Sequence, residues 1–217
     1  MGRNVQKYLP FTLSVAVMIL LLISSCRGMK RGNQGLSMAF DESQESIIMN
    51  SNGQTPMRVY KITDRQDSIL LRTSSVNVIP DSNDVVLQRF INRLYSTVRD
   101  SMSMGVGIAA PQVGILKNII WVQRFDKEEF PFEYYLNPVI THYSPDKQDC
   151  REGCLSIPDR TDTTRTRAET IVINYDEMGG KKMIDTISGF TAVIFQHEID
   201  HLNGILYLDH LEKEMSN

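Results

Sequence analysis

The feature of this sequence that most constrains its fold is a His-Glu-Ile-Asp-His segment that runs from His197 to His201. On an α-helix, residues four apart leave the same face one turn apart, so the two imidazoles would lie side by side. Glu198 is rotated by about 100° from His197 and could reach a metal-bound water without being a ligand. The segment therefore predicts a helix with two metal ligands and a base, and the alternative is a surface helix with two incidental histidines.

A catalytic metal site of this kind needs a third protein ligand. Downstream candidates are unfavourable, because Tyr207 stands where a metzincin protease would have its third histidine ligand. Only residues 202–217 follow His201. The third ligand is therefore expected upstream, where Cys154 lies in a Glu-Gly-Cys-Leu-Ser segment. A Cys154 thiolate would complete a Cys-His-His set. The alternative is that Cys154 is only a small buried hydrophobic residue.

A third segment, from Gly105 to Gln112, contains two glycines and two alanines before a proline and an amide. Small residues allow close approach of the backbone to a ligand, and Gln112 could donate an N–H to a developing oxyanion. The spacing does not match a dinucleotide-binding fingerprint. Alone, this segment would indicate no more than a turn.

Taken together and in this order, the three segments resemble the motifs of the peptide deformylase family. Those motifs are Gly-x-Gly-x-Ala-Ala-x-Gln, Glu-Gly-Cys-Leu-Ser and Gln-His-Glu-x-Asp-His-Leu-x-Gly. The chain matches every fixed position, in residues 105–112, 152–156 and 196–204. The resemblance covers roughly residues 57–213. It implies an α+β fold in which small, mostly antiparallel sheets surround a central metal-binding helix.

The resemblance also implies an activity, the hydrolytic removal of the formyl group from N-formylmethionyl peptides with release of formate. The metal ligands would be Cys154, His197 and His201. They would hold one divalent ion, Fe²⁺ in the first place, with Zn²⁺, Ni²⁺ or Co²⁺ as alternatives. The metal would generate a hydroxide that attacks the formyl carbon, with Glu198 as general base and acid. Gln112 and the backbone N–H of Leu155 would form the oxyanion hole. A second possible function is that of a metallo-amidase with a shifted N-acyl or peptide preference.

The helix that carries the histidines also indicates a pocket for the first side chain. Phe190, Val193 and Ile194 precede His197 at helical spacing and share its face, although part of this stripe must be core. By the resemblance, they wall a slot suited to methionine. Peptide backbone is expected to be held by Val106, Gly107 and Gly153.

Residues 159–166 are polar and are expected to form a rim loop beyond the metal. The candidates for meeting a substrate carboxylate are Arg160, Arg165 and Arg167, and the alternative is that each is a solvated loop charge.

The N-terminus departs from the family pattern. Arg3 and Lys7 precede an apolar run from Phe11 to Ile23, and Ser24-Ser25-Cys26 follows it. This order predicts a lipoprotein-type signal peptide over residues 1–25, with lipidation at Cys26. An uncleaved anchor helix is the alternative. Residues 26–56 are polar and predict a flexible tether before a catalytic domain over residues 57–217.

These features predict an exported, membrane-anchored protein that faces the periplasm or the cell exterior. A translation start at Met57 would instead give a cytoplasmic enzyme. The net charge of −3 and the lack of a basic cluster argue against a nucleic-acid partner, and a monomer is expected.

Secondary structure follows from periodicity and turn residues. Helices are predicted at 84–103 and at 189–203, where the second ends before Gly204. Strands are predicted at 118–123, 134–136, 167–176 and 182–186.

Overall fold

The computed structural model describes residues 1–2, 38–101 and 104–216. The predicted signal peptide, apart from its first two residues, and the predicted lipidation site Cys26 lie outside the described residues. Every element below belongs to one unit, which runs from Leu36 to Asn217. Among the described residues, no helix combines the length and the apolar character that crossing a bilayer requires.

Within the described residues, three helices come first and strands follow. The helices before the sheets are α1 (Glu42–Met49), α2 (Arg65–Leu71) and α3 (Val85–Val98). The strands are β1 (Gly107–Ala109), β2 (Ile119–Gln123), β3 (Phe132–Tyr143), β4 (Lys147–Cys154), β5 (Ile157–Ala168), β6 (Thr170–Asp176) and β7 (Lys182–Ser188). A short 3₁₀ helix (Ala110–Val113) follows β1, and the last helices are α4 (Gly189–Leu202) and α5 (Tyr207–Ser216).

The strands form two antiparallel sheets. One has five strands in the order β1-β2-β3-β6-β7, and the other is the β4-β5 pair. β1 is an edge strand of the first sheet, and it pairs with β2 alone. Helices and separate antiparallel sheets make this an α+β fold, as the sequence predicted.

Helix α4 packs on one face of the five-stranded sheet and is buried along most of its length. Phe195 meets Tyr135 of β3 edge to face, with the ring centroids 4.8 Å apart. Burial of a side chain of this size stabilises the fold by about 2–3 kcal/mol. The chain leaves the helix through Gly204, at φ +72°, and a Cβ there would lie 2.5 Å from the carbonyl oxygen of Arg72. Glycine therefore allows the end of α2 to close over the end of α4.

The predicted flexible tether is wrong for its second half, because residues 42–49 form α1 and pack on α3. Asp41 caps α1, Ile48 is fully buried, and Phe40 meets Phe90 at 6.0 Å. Arg93 of α3 is buried and donates to the carbonyl oxygens of residues 47 and 48, which end α1. The folded unit therefore begins well before the predicted boundary at residue 57. The apolar face of α1 is too short to have produced a periodic signal.

Residues 159–166 form part of β5, so the predicted rim loop is wrong. Arg167 of this strand is buried, so it is not the solvated loop charge that the sequence allowed. Residues 155–156 form the turn between β4 and β5, so residues 153–158 are not one continuous strand. Helix α3 also ends at Val98, five residues before its predicted end.

Candidate active site

Three potential metal ligands meet between α4 and the end of β4. The side-chain donor atoms of Cys154, His197 and His201 all lie within 4.8 Å of one another. Cys154 Sγ is 3.2 Å from His201 Nε2, and the two imidazole centroids are 5.1 Å apart. Ligand atoms about 2.1–2.3 Å from one tetrahedral ion would be separated by about 3.6 Å. The residues therefore fit a single small divalent ion.

Glu198 lies beside this group on the same helix. Its side chain is buried, and its Oε2 has no hydrogen-bond partner among the described residues. Burial raises the pKa of Glu198 to about 7, against the opposing effect of the two histidines. An unpartnered buried carboxylate oxygen is costly unless a bound molecule satisfies it. The site therefore fits a water or substrate atom next to Glu198.

Gly107 of β1 approaches Glu198 so closely that only glycine fits. A Cβ at this position would lie 2.5 Å from Glu198 Oε1 and 2.8 Å from Ile194 Cγ2. The small residues of the Gly105–Gln112 segment thus serve close packing of backbone against the base. This places the edge strand β1 directly against the reacting centre.

Gln112 points its amide nitrogen into the site. Its Oε1 accepts from the backbone N–H of Ala109 at 2.9 Å, which fixes the orientation of the amide. Its Nε2 then donates towards Ser156 Oγ at 3.3 Å and Cys154 Sγ at 3.5 Å. The structure thus holds the amide donor close to the metal-binding thiol.

A buried ion pair orients His197. Glu152 Oε2 accepts from His197 Nδ1 at 2.8 Å, which leaves Nε2 of that ring for a metal. Arg167 donates to both oxygens of Glu152, at 2.8 and 2.9 Å, and Thr164 donates to Oε1. Burial alone would raise the pKa of Glu152, but the bonds from His197 and Arg167 outweigh it and hold that pKa well below its usual range.

The network continues towards the surface. Arg167 Nη1 also donates to Asp200 Oδ2, which lies 2.8 Å from His210 Nε2 on α5. Burial would raise the pKa of Asp200, and the contacts with His210 and Arg167 lower it overall. The base of the site is therefore held by a hydrogen-bonded network of side chains from β4, β5, α4 and α5.

Cys154 and His197 each shift the pKa of the other. Burial would raise the pKa of Cys154, yet the neighbouring histidines hold it well below its usual range. Burial would lower the pKa of His197, and the hydrogen bonds with Cys154 and Glu152 raise it well above its usual value. The surroundings therefore favour Cys154 as a thiolate, which is the form that binds metal.

The β4-β5 turn is held from the N-terminal side of the domain. Lys61 Nζ donates to the carbonyl oxygen of Leu155, and Ile62 N donates to the carbonyl oxygen of Ser156 at 3.0 Å. Tyr60 N donates to the carbonyl oxygen of Gln112 at 2.7 Å. Residues 60–62 therefore connect the turn to the 3₁₀ helix that carries Gln112.

A cavity of about 560 Å³ opens above the metal-binding group. Val193 and Ile194 form a buried part of its wall, and Phe190 lies half exposed at its rim. The predicted substrate-binding residues all line this cavity, namely Val106, Gly107, Gly153, Phe190, Val193 and Ile194. Gln112, Cys154, Leu155, His197 and Glu198 line it as well.

The structure thus brings together the predicted metal ligands, the predicted base, the predicted oxyanion donors and the predicted pocket residues. Of the three arginines considered for a substrate carboxylate, Arg160 lines the cavity, Arg165 does not, and Arg167 is buried under Glu152. Sequence reasoning missed the roles of Arg167 and Lys61. Thr164 and Arg167 are three residues apart, a spacing that strand alternation does not place on one face, and polar residues fill both faces of β5, so the sequence gave no signal.

Comparisons with known proteins agree with this geometry. The sequence model of the family described as Polypeptide deformylase matches residues 59–217. A peptide deformylase of Wolbachia pipientis wMel is 33% identical over 156 residues, which cover 68% of this chain and 83% of the relative. A peptide deformylase of Desulforudis audaxviator is 43% identical over 121 residues, covering 55% of this chain and 76% of the relative.

Comparison with solved structures also finds peptide deformylases. The crystal structure of a class I type b peptide deformylase from Acinetobacter baumannii with bound Met-Ala-Ser superposes with a TM-score of 0.64 at 32% identity. The superposition covers 72% of this chain and 99% of that one. With the family model, the relatives and the site geometry in agreement, the chain belongs to the polypeptide deformylase family of metal-dependent hydrolases.

Proposed function

We propose that this chain hydrolyses the formyl amide of N-formylmethionyl peptides in the cavity above Cys154, His197 and His201. The observation that carries the proposal is the juxtaposition, at the base of one cavity, of a Cys-His-His group and the unpartnered carboxylate of Glu198. The Acinetobacter enzyme with Met-Ala-Ser, a deformylated tripeptide, supports a methionyl peptide as occupant.

Cys154 Sγ and one nitrogen from each of His197 and His201 would hold the metal. When bound, a divalent ion there supplies Lewis acidity and brings the pKa of a water towards neutrality. We infer Fe²⁺ as the native ion, with Zn²⁺, Ni²⁺ or Co²⁺ as substitutes, because one thiolate and two imidazoles suit borderline-soft metals. Metal analysis of protein purified without oxygen tests this inference, and stoichiometric Zn²⁺ without iron would contradict it.

Glu198 moves the proton. Its unpartnered Oε2 accepts a proton from the attacking water and returns it to the departing α-amine as the C–N bond breaks. The products are formate and a free amino terminus. Gly107 leaves room for the carboxylate.

Gln112 and Leu155 stabilise the formyl oxygen. Gln112 Nε2 already points into the site, and the backbone N–H of Leu155 follows Cys154 in the turn. Loss of one such donor typically lowers kcat by about 10²–10³-fold. Substitution of Gln112 by Leu should therefore lower kcat within this range while metal content stays the same.

The peptide would lie between two strand edges. β1 has a free edge in its sheet, and the residues of β4 from Arg151 to Cys154 line the opposite wall. An extended peptide can bond to Val106 and Gly107 on one side and to Gly153 on the other. The first side chain would then enter the slot formed by Val193 and Ile194, with Phe190 at its mouth.

We further propose that the protein is exported and is anchored to a membrane through lipidation of Cys26. The order of basic residues, apolar run and Ser-Ser-Cys supports it. The packing of α1 argues against a start at Met57, because that start would remove Phe40 and Ile48 from the core. With residues 38 onward in the folded unit, residues 27–37 can span at most about 40 Å.

Location can be tested in cells that make the full chain. Labelling with a fatty-acid analogue, membrane fractionation and protease accessibility from outside should show a lipidated, external protein. The Cys26→Ala variant should lose the label and should leave the membrane fraction. A soluble, unlabelled, protease-protected wild-type protein would contradict the proposal and favour a cytoplasmic enzyme.

A further inference from the structure

Arg151 is a cation at the mouth of the cavity with no acidic partner among the described residues. It is exposed on β4 and lines the cavity. Its Nε and Nη2 donate to Thr161 Oγ1 at 3.0 and 2.8 Å. Within the described part of the chain, no carboxylate oxygen lies within 4.0 Å of its guanidinium. The threonine hydroxyl therefore fixes the guanidinium without neutralising its charge.

The fixed guanidinium retains donors for a ligand. A guanidinium has five N–H donors, and two of those in Arg151 point at Thr161. The Nη1 group and the second N–H of Nη2 remain, and two parallel N–H groups match the two oxygens of a carboxylate. Arg151 thus offers an oriented site for an anion rather than a freely rotating charge.

The other two cations at the mouth of the cavity, Arg160 and Lys61, have partners within the protein. Arg160 forms an ion pair with Asp162 at 2.7 Å, and Lys61 donates to the carbonyl oxygen of Leu155. Asp159 is the exposed acidic residue among those that line the cavity. The mouth therefore has more cations than anions, whereas the whole chain has a net charge of −3.

The position of Arg151 along β4 sets which part of a peptide it can meet. Arg151 precedes Gly153 by two residues, so the two share a strand face about 7 Å apart. A peptide that bonds to Gly153 near its methionine would reach Arg151 after one or two further residues. A carboxylate at that point of the peptide would lie within reach of the guanidinium.

We propose that Arg151 is a specificity-determining residue that binds a carboxylate located one or two residues after the formylmethionine. The carboxylate is either the C-terminus of a short peptide or the side chain of Asp or Glu. This inference rests on the proposed function, because it requires the peptide to lie in this cavity. It makes short or acidic formyl peptides the preferred substrates.

The test compares peptides that differ only in charge. kcat/KM is measured for formyl-Met-Ala-Ser, for its C-terminal amide and for formyl-Met-Ala-Asp amide. The proteins are the metal-loaded wild type, Arg151→Gln and, as a matched control, Arg165→Gln. Arg165 is an exposed arginine of β5 that lies outside the cavity wall and is 3.7 Å from Asp149.

Wild type and Arg165→Gln should favour the two charged peptides over the neutral amide by about 3–10-fold, mainly through KM. Arg151→Gln should lower this ratio to about one. Higher salt should narrow the wild-type preference. The relative rates on formyl-Met-Ala-Ser and formyl-Met-Ala-Asp amide show which source of carboxylate is preferred.

A wild-type ratio near one, or an equal loss of preference in both variants, would overturn the proposal. Failure of the wild type to hydrolyse any of the three peptides would instead count against the proposed function. Calorimetric binding of Met-Ala-Ser and its amide then decides the role of Arg151 without turnover. Tighter binding of the acid by wild type, lost only in Arg151→Gln, supports that role, and equal binding of both peptides contradicts it.

Discussion

Replacement of Arg167 by Met should both destabilise the protein and weaken metal binding. Arg167 and Glu152 are each nearly inaccessible to solvent and are joined by two hydrogen bonds. The substitution keeps most of the side-chain volume but leaves the Glu152 carboxylate buried without its cation. Removal of one partner from a buried pair typically costs about 3–5 kcal/mol. For a domain of this size, that corresponds to a fall in Tm of about 6–20 °C.

The same substitution should loosen His197, because Glu152 accepts from its Nδ1. Loss of an outer partner of a metal ligand typically lowers metal affinity by about 10–100-fold. Urea denaturation gives the free energy of unfolding, and competition with a chelator gives the metal affinity. In the double variant Glu152→Gln/Arg167→Met, both members of the pair are removed and residue 152 carries no unpaired charge, so much of the lost stability should return. A change of less than 1 kcal/mol in the single variant, with wild-type metal affinity, would refute the reasoning.

Three further substitutions have distinct expected outcomes. Cys154→Ala should remove most bound metal, which elemental analysis would detect, and stoichiometric metal in this variant would rule out the thiolate as a ligand. Gly107→Ala should lower kcat by at least about 10²-fold with metal retained, because its Cβ would displace the Glu198 carboxylate; wild-type turnover would show that the close contact does not matter. The hydrogen bond from Arg58 lowers the pKa of Asp67, although burial of the carboxyl group opposes this shift. The stabilisation that the ionised Asp67 contributes is therefore present above about pH 4, and it is lost as pH falls through the lowered pKa. Urea unfolding at a series of pH values should therefore show that Asp67→Asn loses less free energy of unfolding in acid than the wild type does. An equal loss in both proteins would contradict that contribution of Asp67.

The central helix and its ligands could be predicted because their spacing is local. His197, Glu198 and His201 share one helix, and periodicity fixes which side chains meet. The pairing of this helix with Cys154 was predicted from the need for a third ligand and the lack of a suitable one downstream, and the family pattern supported it. Nothing in local spacing brings a strand 43 residues upstream to the same point.

Other features depend on long-range contacts that periodicity does not report. Arg167 lies on a strand whose two faces are both polar, and it is buried because Glu152 and Asp200 neutralise it there. Helix α1 is short and is held by hydrogen bonds from Arg93 as well as by the burial of Ile48. Buried ion pairs and side-chain caps of this kind depend on the tertiary fold, so the sequence around them looks like that of a loop.

The most direct test of the account is release of formate from formyl-Met-Ala-Ser by the purified protein, kept without oxygen and loaded with Fe²⁺. The account predicts robust turnover in the wild type, and no measurable turnover in Glu198→Ala despite about one metal ion per chain. Absence of turnover by folded, metal-bound wild type would contradict the deformylase assignment. Full activity in Glu198→Ala would contradict the role of Glu198 as the proton-transferring group.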